Sequence, residues 1–386
     1  MDADRSAFFI ALVAVDVLVG LADAVSGPYT VLFLVDQAGL SPLSLSVVLT
    51  ARALGGIAFA TAFGAWVDRR RSIRPLLLAL LGSSAGYALL AFTTNFAGLL
   101  FIAAGPIALG AAAFSQSIAL VKRHFERESL HTMNRAIGVM RASWSLAWAI
   151  GPAIGALVVS LIGFRGVFLT SAASGAIALL TLTLARARPS FSASERGHPA
   201  KPANGRPAIV LAFTALALFH TAMFMGSIPL PIVLTTTLGG TKTDAGLAMS
   251  LCAALEIVVM GALIWRPLKR GERPAIVIGF AAFAAYFVAL ALARSVGAVL
   301  WAQILRALGI ALVSYLGISF LQSLLPHRAG AAAALFSNAG QVGSVAAALG
   351  VGALAQAFGW TSVFVACAVL CGAGLVLVRF VEAESN

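Results

Sequence analysis

Apolar residues fill this chain in long stretches, broken by short clusters of polar and basic residues. The stretches lack the two-residue alternation of a half-buried strand and the polar face of a soluble helix, and each is long enough as helix to cross ~30 Å of hydrocarbon. Twelve spans are predicted. The first half gives 8–34, 43–67, 75–93, 96–120, 136–161 and 166–185; the second gives 208–234, 245–264, 274–293, 297–325, 331–356 and 360–378. A short turn at Thr93–Phe96 joins the third and fourth. The expected fold class is an all-α polytopic membrane protein with twelve transmembrane helices.

One long polar segment, Arg186–Pro207, is rich in Pro, Ser, Gly and basic residues, and reads as a cytoplasmic linker. It divides the chain into a six-helix bundle at 1–185, the linker at 186–207 and a second six-helix bundle at 208–386. The halves echo each other faintly. Pro28 followed by Arg52 resembles Pro231 followed by Glu256, at an offset near 203, and Gly64-Ala65 resembles Gly261-Ala262. Internal repeats of this kind are a feature of secondary transporters.

Composition excludes the soluble classes: 60% of the 386 residues are hydrophobic and 10% charged, with a mean hydropathy of +0.98. The net charge of +12 is topogenic rather than a nucleic-acid footprint. With both ends in the cytoplasm, twenty of the 26 Lys and Arg fall in inner segments, and Arg165, Lys242 and Arg294 alone fall in outer loops. Cys252, Cys367 and Cys371 all lie within spans and suit packing, so neither a metal nor a redox site is expected. The acidic N-terminus and the long first apolar stretch argue against a cleavable leader. No Gly-rich loop ends in Lys-Ser/Thr, so no nucleotide cofactor is expected.

Two motifs carry a family resemblance. Gly64, Asp68, Arg69 and the basic residues Arg70, Arg71 and Arg74 stand between the second and third spans, in the pattern of the major facilitator signature. Arg71 replaces that signature's second Gly. Gly64 would permit close helix approach, while Asp68 and Arg69 would pair across a cytoplasmic gate. The plain alternative is a positive-inside loop with a stray Asp. In the fifth span, Gly138, Ala147, Gly151, Pro152, Gly155 and Ala156 match the spacing of the Gly-Pro motif of facilitator antiporters, with Ala for Gly at 147 and 156. Small residues there let helices touch, and Pro152 permits a bend. The alternative is ordinary small-residue packing. Met140-Arg141-Ala142, Ser145 to Pro152, Leu255-Glu256-Ile257 and Pro326 to Ala332 further resemble the sugar efflux transporter family of bacterial facilitators. That resemblance implies proton-linked export of sugars or sugar-like solutes across the bacterial inner membrane.

Six ionisable residues sit inside spans: Asp16, Asp23, Arg52, Arg141, Glu256 and Arg306. Each costs roughly 2.5–3.5 kcal/mol near a bilayer centre, so each is expected to face protein or a wet cavity. Asp16, Gly20, Asp23 and Gly27 form one stripe of the first helix, suited to a cavity wall. Either acid is a candidate proton carrier, or an ion-pair partner of Arg52 or Arg141. Glu256 is the only acid inside a span of the second half and the leading coupling candidate; a structural carboxylate is its alternative. His220 is a weaker candidate, since a lone His on an apolar helix is more often a bonded packing residue. Arg141 shares a face with Trp144 and Trp148, the aromatic and donor pairing that sugar rings require. Arg52, Arg306 and the amides Gln116, Gln303, Asn338 and Gln341 complete the candidate solute-binding set. Any one amide can equally be interhelical glue.

The expected function is proton-antiport export of sugars by two rocking bundles, from a monomer whose partners are the solute, protons and lipid. The competing readings are a multidrug exporter of the same fold and a non-transporting sensor or scaffold. Enzymatic activity is not expected, because no nucleophile, His and acid cluster stands at a membrane surface.

Overall fold

The computed structural model describes residues 3–70, 72–125, 128–185, 207–265, 272–325 and 328–381. Helix α1 (Ala3–Leu32) ends in a π turn at Phe33–Gln37 and is followed by α2 (Pro42–Arg70) and α3 (Arg74–Leu90). Helix α4 (Phe96–His124) is broken by a π turn at Ala103–Ile107, where Pro106 removes a backbone donor from the ladder. One helical run, Leu130–Leu184, follows; its arms at 130–162 and 164–184 are α5 and α6. Then come α7 (Pro207–Thr237), α8 (Lys242–Trp265), α9 (Glu272–Ala291), α10 (Val296–Leu324), α11 (Ala329–Phe358) and α12 (Trp360–Phe380).

Among the described residues ten stretches are long and apolar enough to cross a membrane by length and composition; the stretch Arg135–Leu184 contains most of α5 and all of α6, and α3 is a shorter apolar helix. The loop expected between the fifth and sixth spans is replaced by Gly163 alone, at φ 69 and ψ −169. Only glycine adopts that backbone without strain, so a single residue reverses the chain. Gly359, at φ 82, does the same between α11 and α12.

The chain divides into two compact units, Met1–Leu40 with Val47–Arg196, and Ser41–Ser46 with Gly197–Asn386. Residues 186–206 of the expected linker lie outside the described residues. The internal repeat has a register of 200, correcting the offset near 203. The π turns Phe33–Gln37 and Val233–Thr237, the left-handed Gly39 and Gly239, the helix starts Pro42 and Lys242, and the N-caps Asn95 and Ser295 all obey it. The earlier pairing of Pro28 with Pro231 matched two prolines that do not correspond.

In the first unit Leu12, Val15 and Val19 of α1 meet Leu76 and Leu80 of α3, Ala113 and Leu120 of α4, Met140 of α5 and Leu182 of α6. Its tightest seam joins α1 to α5. A Cβ on Gly151 would collide with Ala24, and one on Gly155 with the Val25 carbonyl and the Tyr29 ring. The Tyr29 hydroxyl donates to the Pro152 carbonyl at 3.2 Å. These contacts give Gly151, Pro152 and Gly155 a definite packing partner, α1. In the second unit an aromatic core of Phe219, Phe280, Phe283, Tyr286 and Phe287 joins α7 to α9.

Candidate functional site

The two acids of α1 share a stripe yet meet different surroundings. Asp16 is fully buried; Ser143 of α5 donates to its Oδ2 at 2.9 Å, and its Oδ1 has no hydrogen-bond partner among the described residues. The ion pair with Arg52 or Arg141, one expectation for this acid, is not formed. Asp23 is half-buried, and the Tyr87 hydroxyl of α3 donates to its Oδ1 at 2.7 Å. Arg52 of α2 acts on Asp23 through space. Arg52, Tyr87 and Thr30 line a cavity of about 20 Å³ whose remaining walls are apolar, from Leu34, Val48 and Leu49 to Ile102 and Ile107. Hydroxyl and guanidinium replace the hydration that a carboxylate loses inside a membrane protein.

Arg141 departs from expectation: it is exposed, and makes no ring contact with Trp144 or Trp148 among the described residues. The indoles turn inward instead. Trp144 packs on Phe114 with ring centroids 4.7 Å apart and fills the space above Gly20, while Trp148 lies over Gly27. The glycines of the α1 stripe therefore make room for tryptophans. Gln116 is buried in the first unit's core, with its Oε1 unpartnered among the described residues.

In the second unit Glu256 of α8 is half-buried, and the Cys252 thiol one turn earlier donates to its Oε1 at 3.2 Å. Arg306 of α10 acts on both through space. Arg306 is itself buried. Its Nη2 donates to Ser227 Oγ of α7 at 2.9 Å, its Nη1 reaches Met249 Sδ at 3.1 Å and Gln303 Oε1 at 3.4 Å, and the guanidinium lies 5.9 Å from the Tyr286 ring centroid of α9. Gln303 also donates to the Val299 carbonyl at 2.9 Å. Both ends of that amide are engaged, so it supports Arg306 and does not face a solute here. Asn338 and Gln341 are exposed on α11. His220 stands apart from the charges: its Nδ1 bonds the Leu216 carbonyl at 2.8 Å, and Phe219, Phe224 and Phe336 surround its ring.

The six ionisable residues do not form one mutually neutralising set. Asp23 associates with Arg52, Glu256 with Arg306, Asp16 with a serine, and Arg141 is exposed. At the candidate gate a Cβ on Gly64 would meet nothing within 4 Å, so the expected close helix approach is not made in this conformation. Asp68 and Arg69 belong to the last turn of α2, and their side chains lie outside the described residues. Arg123 at the end of α4 donates to the Val67 carbonyl at 2.7 Å, beside that motif. Sequence reasoning missed Tyr87, Tyr286, Ser143, Ser227 and Met249. A signal for the tyrosines existed: Arg74-Pro75 and Arg273-Pro274 stand near the starts of α3 and α9, and the same interval later come Tyr87 and Tyr286.

The family model of the Major Facilitator Superfamily matches residues 12–259 and 211–386. A protein of Deinococcus radiodurans is 35% identical over 92% of this chain and 92% of its own length. Sugar efflux transporter A of Dickeya chrysanthemi is 30% identical over 98% of this chain and 96% of its own. A solved bacterial homologue of the human lysosomal transporter Spinster superposes with a TM-score of 0.78 at 16% identity, covering 99% of this chain and 97% of that one; it shows the fold alone. Membrane-length helices in two repeated units, matched end to end by these relatives, make this multi-pass membrane protein a secondary transporter of the major facilitator superfamily, in its sugar efflux transporter family.

Proposed function

We propose that the chain exports sugars or sugar-like solutes from the bacterial cytoplasm in exchange for protons, by alternating access. The observation that carries the coupling is the Glu256, Cys252 and Arg306 group. An acid kept inside a span beside a buried arginine is costly, and its use is to change charge with the transport cycle. Glu256 is the coupling acid in this reading. Protonation there releases Arg306 from its electrostatic partner, and the reverse restores it. Asp16 and His220 are set aside from coupling, because each hydrogen-bonds a neutral neighbour, Ser143 and the Leu216 carbonyl.

The sugar assignment follows the relatives named sugar efflux transporter A. In the first unit Arg141 offers exposed donors for hydroxyls, with half-buried Trp144 and Trp148 on the same helix, and in the second unit Asn338 and Gln341 offer exposed amides. Arg52 and Gln116 in the first unit and Arg306 in the second fix local charge and polarity. Gly64, Asp68 and Arg69 form the cytoplasmic gate, and the Gly151, Pro152 and Gly155 seam lets α5 flex against α1. Twelve crossings, with 1–185 and 208–386 as the two bundles and both termini cytoplasmic, fit the distribution of Lys and Arg. The protein works as a monomer in the inner membrane.

Counterflow in proteoliposomes tests the reading. Saturable exchange of labelled sugars supports it. Exchange of lipophilic cations without sugars replaces it with drug export, and movement of neither replaces it with a non-transporting role.

A further inference from the structure

Each unit sets a tyrosine of its third helix beside an arginine, and in the first unit that tyrosine also bonds an acid. In the 200-residue register Tyr87 matches Phe287 and Tyr286 matches Gly86, so the two tyrosines stand one residue apart in the repeat. The charges around them do not correspond. In the 200-residue register Asp23 matches Met223, Arg52 matches Cys252, Glu256 matches Gly56 and Arg306 matches Pro106. Of the charge-bearing helices only α2 and α8 correspond, and they carry opposite charges, so neither cluster copies the other. A phenol both donates and accepts, so it stays bonded to a carboxyl whether or not that group holds a proton.

The first unit's cluster is furnished for a very small occupant. The cavity of about 20 Å³ beside it is lined by Arg52 and Tyr87 and not by Asp23, and has room for about one water and none for a solute. Arg52 on its wall repels a metal cation. The charged and titratable groups around Asp23 are Arg52 from α2 and Tyr87 from α3, with Asp16 two turns away on its own helix. Helix α4 presents apolar Ile102, Ala103 and Ile107 to the cavity, while on α6 Ser171 and Ser174 are each bonded to an α1 carbonyl. A proton is the one ligand that changes the charge here without needing volume.

We propose that Asp23, positioned by Tyr87 and balanced by Arg52, is a second proton-binding site, so that each unit carries its own exchanged proton. The inference rests on the proton-coupled reading above and extends it from one coupling acid to two. Tyr87 is a positioning residue: it holds the carboxyl that binds the proton.

Stoichiometry tests this. Proteoliposomes are held at a one-unit pH gradient with the membrane potential clamped to zero, and the steady sugar gradient is measured. Each coupled proton multiplies that gradient about tenfold, so the wild type sustains about a hundredfold and Asp23→Asn about tenfold. A wild-type gradient of about tenfold overturns the second site, as does an Asp23→Asn variant that still reaches a hundredfold. Tyr87→Phe keeps the ring's packing and leaves the carboxyl short of a donor. It is expected to shift the pH of half-maximal exchange, and an unchanged profile overturns the positioning role. Absence of sugar flux in the wild type is a different result, and removes the sugar reading itself.

Discussion

The ionisable residues set the chemistry, and their partners decide what each can do. Glu256→Gln preserves volume and can still accept from the Cys252 thiol, but it cannot take up a proton. Gradient-driven sugar export is expected to drop sharply while sugar–sugar exchange persists; full gradient-driven export in this variant would sink the assignment of Glu256. Arg306→Lys keeps the charge and loses the planar fork that reaches Ser227, Met249 and Gln303 together. Losing one hydrogen bond to a charged group costs about 1.5–3 kcal/mol, so exchange should slow about tenfold or more in initial-rate measurements. The sequence made the six charges legible because a hydrophobic span exposes any charge by contrast. It concealed their partners. Ser143 lies 127 residues from Asp16 and Tyr87 lies 64 from Asp23, and no local periodicity connects such pairs. Arg141 shows the opposite failure: its face with Trp144 and Trp148 was readable, but which way each side chain turns depends on α1 and Phe114.

At the scale of elements, the α1–α5 seam is the tightest part of the first unit. Gly151→Leu drives a side chain into Ala24, and overpacking of this kind costs about 1–3 kcal/mol. A lower Tm of the purified protein in detergent is the expected result; an unchanged Tm would show that the seam yields. Helix positions were legible to within a few residues because membrane-length apolar runs leave little choice of structure. The link between α5 and α6 was not legible. A Gly within an apolar run marks either close packing or a reversal, and only the backbone at Gly163, with φ of 69°, decides between them. The repeat register was misread for a related reason. Pro and charged residues were compared, yet the halves keep backbone landmarks such as Gly39 and Gly239 while changing their charges.

At the scale of the whole molecule, topology is the property most open to test. A cysteine at Lys242 should react with a membrane-impermeant maleimide in intact cells, and one at Arg74 only after permeabilisation. The native thiols of Cys252, Cys367 and Cys371 are buried and should stay silent. Labelling with the opposite sidedness would reverse the orientation drawn from Lys and Arg. In the proposed orientation the one-residue reversals lie at the outer surface. Proteases cut where backbone can be drawn out, usually at exposed loop tips. Gly163 offers no such loop, and Arg165, although exposed, already lies within helix. Trypsin added outside a cell would find its residue at Arg165 and leave the chain whole, and an antibody raised to that corner would have to recognise a folded edge, since no linear peptide protrudes there.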